Sequence, residues 1–358
     1  MVKRRALVID SNAIVRKDWL LESAAWKVIR FNAREGHFQL VVPALVIQES
    51  AGRYRAALEE ALEKRHAAEL ALSRLGVGMA LSSLAVDEQV ERYEATLRAK
   101  VLGAQGRIPE LPTVDLSHLV TKAIRRLRPF DQQGNGFRDA ILWQHALSLL
   151  KEFDPVVLIS NDRIAFHIDK EQLGLAPALA AEVAGMGRAG QGVVLYPDLE
   201  TYLKATGTAD PRTFAAVAEI VAAEESQIGI NLEIALRQAD IEFRYGQGRI
   251  VIEQAHRPAS IALVDVTAPD DHNIAFVTLE GDADLDLYVE WWDGTQPDVG
   301  SGTKTVTYSA TATFDARKNL LSDFSVATLK LEIDRDRFPG LGPLFGSGAL
   351  WRGDEPLL

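Results

Sequence analysis

Through roughly the first 200 residues, apolar runs of strand length alternate with helical patterns, the arrangement that parallel βαβ units produce. RALVID reads as a strand and SNAIVRKDWLLESAAWKVIRFNA as the helix that continues from it. FQLVVP is a second strand. The stretch ALVIQESAGRYRAALEEALEKRHAAELALSRLG is a long helix and DEQVERYEATLRAKVLG another, with LEKRHAAELALSRL expected to fold as a helical hairpin against the core. DLSHLVTKAIRRLRPF is helical again, followed by the glycine loop QQGNG and the helix FRDAILWQHALSLLKEF. DPVVLIS and GQGVVLYP supply a third and a fourth strand, and DLETYLKAT a short closing helix. The segment GTADPRT, rich in turn formers, marks a boundary.

Beyond it the pattern changes. One helical stretch, FAAVAEIVAAEESQIGINLEIALRQA, leads into period-two runs: DIEFRYGQGRIVIEQ, IALVDVTA, IAFVTLEG, DADLDLYVEWW, TKTVTYSATATFDA and SVATLKLEID, with YGQG, LEGD and FDARKN as turns. Clean alternation predicts an antiparallel sheet with one solvated face. The expected fold is α/β: a parallel-sheet domain over residues 1–206, then a helix plus antiparallel β-rich (α+β) domain over 212–338 and a loop-like tail, 339–358.

Charge refines this division. The 358 residues carry a net charge of -11, but up to Thr208 there are 27 basic and 25 acidic residues, against 12 and 25 from Ala209 onward. A polyanion would tolerate the first half and be repelled by the second. The acidic half therefore suits a protein partner or a second copy of the chain. The absence of cysteine excludes disulfides, thiolate metal sites and thiol nucleophiles, leaving carboxylate or imidazole for any metal. MVKRR followed by ALVI is too short for a secretory core, and no apolar run approaches the ~18 residues of a membrane span. A cytoplasmic protein without membrane contact is the expectation.

Four acids sit oddly in this pattern. In the helix FRDAILWQHALSLLK, Asp139 shares its face with Leu142, Trp143, Ala146 and Leu150, while Gln144, Ser148 and Lys151 lie opposite. A carboxylate on an apolar stripe must pair, protonate or meet a cation, unless it merely complements the helix dipole in the first turn. Asp10 and Asp162 each end an apolar strand, where open α/β sheets place ligands, although either can equally cap a following helix. Glu49 lies early in the helix after FQLVVP and can approach the same edge. Two carboxylates about 4 Å apart repel by roughly 4 kcal/mol at an effective dielectric of 20. A cluster of four therefore calls for a hard divalent ion, Mg2+ or Mn2+, which suits phosphodiester hydrolysis.

VIDSNAI, Glu49 in VIQES, Asp139 in GNGFRDAILW and Asp162 in LISNDRIAF together resemble the PIN-domain nucleases. Their pattern is an Asp followed by Ser/Thr-Asn, then a Glu and two further acids, the last in a Ser/Thr-x-Asp turn. The resemblance spans about Val2 to Lys204, and GFRDAILW is similar to a larger bacterial PIN-like type with a helical insertion. It implies a PIN-like three-layer fold with a helical insertion at about 53–128, and a Mg2+- or Mn2+-dependent endoribonuclease. Asp10, Glu49, Asp139 and Asp162 would hold the ion, with Asn12 and Ser160 orienting Asp10 and Asp162. The toxin role of small PIN proteins does not carry over to a chain of this size. The alternatives are a DNA or structure-specific nuclease in a defence role, and a catalytically weak module that binds RNA or protein. A haloacid-dehalogenase-type phosphatase is disfavoured because Asn12 stands where its second Asp belongs.

Lys122, Arg125, Arg126 and Arg128 follow one another without an intervening acid, the first three at spacings that fit one helix face. They are candidates to hold RNA phosphates, as are Arg138 and Arg163; a solvated basic face is the competing reading. The seven histidines show no metal-ligand spacing and read as structural. His145 falls off the apolar centre of its helix. Asp282, Asp284 and Asp286 alternate with Leu285, Leu287 and Val289, which marks the solvent face of a strand more readily than a calcium site.

Overall fold

The computed structural model describes residues 5–15, 19–75, 77, 84–168, 174–186, 192–207, 211–239, 247–268, 273–292 and 297–331. The expected tail at 339–358, the segment DIEFRY and part of GTADPRT lie outside them. In chain order the elements are β1 (Arg5–Ile9), α1 (Ser11–Val15), α2 (Ala24–Glu35), β2 (Phe38–Val41), α3 (Ala44–Arg74), α4 (Val86–Gly103), α5 (Leu116–Ile124), α6 (Phe137–Leu149), β3 (Val156–Ile159), α7 (Pro177–Gly185), β4 (Val193–Tyr196) and α8 (Leu199–Thr206). There follow α9 (Pro211–Ala223), α10 (Glu225–Arg237), β5 (Gln247–Ala255), β6 (Ala262–Thr267), β7 (Ile274–Trp292), β8 (Pro297–Asp315) and β9 (Leu320–Leu331).

Two compact units divide the chain: Met1–Glu22 with Ile29–Ala205, and Ser23–Val28 with Thr206–Leu358. In the first unit the four short strands form one parallel sheet in the order β2-β1-β3-β4. Every residue of β3, and β1 after Arg5, is buried. Helices covering both faces account for that, and for strands that read as unbroken apolar runs. The chain leaves β1 for β2 on one side and reaches β3 on the other, so the order reverses between β1 and β3. A crevice at the carboxyl ends of the strands follows from such a reversal.

Several expected elements differ. The helix expected to run on from Ser11 is split into α1 and α2, with Leu21 in a left-handed turn (φ 53°) and the Ser23 hydroxyl accepting the Trp26 N–H at the start of α2. α7 has no counterpart in the expected elements. α5 stops at Ile124, Arg126 takes a positive φ of 54°, and the basic run therefore leaves the helix instead of lining one face of it. LEKRHAAELALSRL is the outer part of the single helix α3, mostly exposed rather than packed on the core. It carries i,i+4 pairs such as Lys64–Glu60 and Arg65–Glu69, each adding a few tenths of a kcal/mol at most, about 0.5. Nearer the core, Tyr54 of α3 stacks on Tyr93 of α4 at 4.2 Å, with the Trp19 ring edge-on to both.

The second unit holds an antiparallel sheet of order β5-β7-β8-β9, with β6 also paired to β7. α9 and α10 pack on it through Val217, Ile220, Ile228, Leu232 and Leu236, against Val277, Leu279, Leu285, Val306 and Phe314 among others. The expected helical stretch is two helices separated at Glu224, and IAFVTLEG and DADLDLYVEWW are one 19-residue strand. LEGD is no turn. Gly281 sits within it because an added Cβ would lie 1.9 Å from the Ser260 carbonyl oxygen. The alternating acids occupy the outer strand face as expected: the hydroxyls of Thr307, Thr305 and Thr303 donate to Asp282, Asp284 and Asp286 across the β7–β8 pair. No described helix is long and apolar enough to cross a membrane.

Candidate metal centre

β1 and β3 lie side by side, so their carboxyl ends deliver Asp10 and Ser160 to neighbouring positions; the Asp10 N–H closes the ladder on the Ile159 carbonyl at 3.0 Å. Asp10 is 4% exposed. Its Oδ1 accepts the Ser11 N–H at 2.6 Å and its Oδ2 accepts the Ser160 hydroxyl at 2.6 Å. Ser160 Oγ in turn accepts the Asp162 N–H at 3.2 Å and Asn12 Nδ2 at 3.3 Å, which fills the one donor and two acceptor sites of a hydroxyl. Asn12 Oδ1 accepts the Asn161 N–H at 3.1 Å. The sequence expected Asn12 and Ser160 to orient the two aspartates. Ser160 bonds both directly, and Asn12 reaches them through Ser160 and the Asn161 backbone.

Asp162 occupies a capping position as well: its Oδ1 accepts the N–H groups of Ile164 and Ala165 at 3.0 and 2.7 Å. Glu49, in the second turn of α3, has a side chain only 11% exposed, and its Oε1 receives both Arg53 Nη2 and Arg138 Nη1 at 2.8 Å. Asp139 lies in the first turn of α6, which starts from Gly136 at a φ of 114°. Leu142, Trp143, Ala146 and Leu150 around it are buried, as the helical spacing requires.

The electrostatics tie these segments together. Burial pushes the Asp10 carboxyl up to about 6 against the Ser160 hydrogen bond, with the charges of Glu49 and Asp162 adding to the rise. Burial pushes Asp139 up to about 7, and Asp162, Asp10 and Glu49 raise it further while Arg138 opposes them. The charges of Glu49 and Asp162 thus bear on both Asp10 and Asp139, and four chain segments share one electrostatic neighbourhood. The four acids do not yet converge. Among the described residues no group of three or more Asp, Glu or His side chains is close enough to hold a metal ion. Glu49 is drawn to two guanidinium groups, and both Asp10 oxygens are engaged by hydrogen-bond donors. The donor set, carboxylate oxygen without thiolate, nonetheless suits Mg2+ or Mn2+.

The basic candidates separate. Lys122 is 3% exposed and paired with Glu182, whose other oxygen accepts Trp143 Nε1 at 2.9 Å, so it ties α5, α6 and α7 together and is unavailable to a phosphate. Arg128 is spent on backbone: its guanidinium donates to the carbonyls of Arg163, Ile164 and Ile168. Arg125 and Arg126 are exposed, Arg138 is held by Glu49, and Arg163 Nε donates to Asn161 Oδ1 at 3.3 Å.

Two supports escaped the sequence reading. His167 is fully buried; its Nδ1 accepts the Gly174 N–H, so Nε2 carries the proton and donates to the Ser160 carbonyl at 2.9 Å. Burial holds its pKa below the usual value, keeping it neutral. Its structural role agrees with the absence of ligand spacing, but nothing in the sequence points to Ser160 as its partner. The Arg53–Glu49 pair escaped the reading too, although the i,i+4 spacing of the two residues is the signal that could have found it. His145, expected off the apolar centre of α6, is buried all the same, with its pKa lowered by desolvation.

A family model described as the PIN domain matches residues 7–166. No curated protein and no solved structure matches the chain.

Proposed function

We propose, on the premise that the chain carries a PIN domain over residues 7–166 and with it a nuclease-like fold, that this protein is a Mg2+- or Mn2+-dependent endoribonuclease. The observation that carries the reading is Asp139: a carboxyl placed on an apolar helix stripe, pushed up to about 7 by burial and by three other acids from separate segments. Such a concentration of negative charge is unfavourable unless a cation shares it. Asp10, Glu49, Asp139 and Asp162 would hold the ion. A divalent ion held by them would supply an activated water and stabilisation of the charge that develops on the phosphodiester oxygens.

The chain's own contribution is position. Ser160 and Ser11 fix the Asp10 carboxylate, His167 fixes the Ser160 backbone, and α6 holds Asp139 within electrostatic reach of Asp10 and Asp162. Arg125 and Arg126, exposed past the end of α5, are the cations of the basic run left free to meet RNA phosphates. Labelled RNA and DNA incubated in parallel with the full chain and Mn2+ or Mg2+ test the reading. RNA should be cut, chelator should stop the reaction, and Asp10→Asn or Asp139→Asn should slow it about 100-fold or more. Preferential cutting of DNA would reassign the substrate, and cleavage surviving in both variants would reject the site.

A further inference from the structure

Arg138 stands immediately before Asp139 on α6 yet reaches across to α3, where its Nη1 meets Glu49 Oε1 at 2.8 Å. Arg53 meets the same oxygen at the same distance from within α3. Together the two guanidinium groups carry two positive charges, the charge a divalent ion would bring. Their exposures differ from their target's: the Arg138 side chain is 62% exposed and that of Glu49 11%. The Arg138 head therefore sits at the rim of the site while holding an acid inside it. Glu49 cannot give its Oε1 fully to a cation while both arginines hold it, which fits the lack of a converged ligand group among the described residues.

We propose that Arg138 is an internal stand-in for the metal: Arg138 and the divalent ion compete for Glu49, and Arg138, once displaced, takes a phosphate of the incoming nucleic acid. This rests on the metal-site reading above. Guanidinium binds carboxylate and phosphate oxygens through the same planar fork, so one side chain can exchange the first for the second without changing its chemistry. With its arginine end open to solvent, the Arg138–Glu49 pair is screened enough to yield to a divalent ion. Arg53, confined to an i,i+4 position on the helix of Glu49, has less reach toward a ligand.

Calorimetric titration of Mn2+ into the full chain, combined with RNA-cleavage kinetics at saturating Mn2+, tests this. Arg138→Gln should bind Mn2+ up to about fivefold more tightly, since the competitor is gone. The same variant should show a KM for RNA raised about tenfold or more, since a charged phosphate contact is gone. Arg138→Lys, which keeps charge but loses the fork, should fall between the two. An arginine acting only through its charge would leave Arg138→Lys at the affinity of the unmodified chain, whereas a competitor that has lost its fork would not. Unchanged or weaker Mn2+ binding by Arg138→Gln, with normal binding by the unmodified chain, overturns the competition and leaves the metal site standing. Tighter binding with an unchanged KM overturns the transfer to phosphate. Failure of the unmodified chain to bind Mn2+ overturns this inference and the metal-site reading together.

Discussion

Ionising Asp139 places a further negative charge in a half-buried space already facing Asp162, Asp10 and Glu49. Its carboxyl is raised to about 7 and that of Asp10 to about 6, from an ordinary 3.8. A carboxyl raised on folding binds its proton more tightly in the native state. Its stabilisation is therefore complete below about pH 4 and is lost as pH climbs through 6 and 7. In chelator, the melting temperature should fall between pH 5 and pH 8, and Asp139→Asn should remove part of that fall. At pH 8 the variant should gain about 2 kcal/mol, a figure reduced for solvent screening, seen as several degrees in a calorimetric melt. A melting temperature that rises over this range would falsify the assignment. Ser160→Ala should act oppositely, costing about 1–3 kcal/mol in denaturant titrations, because a buried Asp10 oxygen and the Asp162 N–H lose their shared partner. Asp139 was legible from the sequence because a helical stripe has only one face, so an acid on it is conspicuous. The Lys122–Glu182 pair was not, since it joins residues 60 apart with no local pattern.

The elements that place these residues depend on two glycines for different reasons. Gly136 opens α6 at a φ of 114°, where a Cβ would meet the Pro129 carbonyl oxygen at 2.8 Å. Gly136→Ala should cost about 1–3 kcal/mol and, by shifting the first turn that carries Asp139, lower cleavage by more than the lost stability explains. Single-turnover assays below the melting range separate the two effects. Gly281 needs no unusual backbone; it admits the Ser260 carbonyl against β7. That distinction explains why LEGD was misread: glycine beside acids resembles a turn, but the period-two pattern runs unbroken from Ile274 to Trp292. Parallel strands were easy to find, since burial on both faces writes itself as continuous apolar sequence. The break between α1 and α2 was hidden because Ser23, which starts α2, lies inside a pattern that remains helical on both sides.

At the scale of the molecule, the turn formers of GTADPRT suggested a boundary in the sequence, and among the described residues the parallel sheet precedes that segment and the antiparallel sheet follows it. The segment could not reveal that Ser23–Val28 groups with Thr206–Leu358. Within that unit Lys27 pairs with Asp323, and Trp26 is fully buried. A fragment ending at residue 206 should therefore melt lower than the first transition of the full chain, and bind a hydrophobic dye where the full chain does not. Equal melting and no dye binding would show that the segment is indifferent to its later partners. The same arrangement bears on the order of synthesis. Lys27 leaves the ribosome 296 residues ahead of Asp323, so the pair cannot close until nearly the whole chain has been translated. One of the earliest segments made should thus be among the last to complete its contacts, its partner arriving only near the end of synthesis.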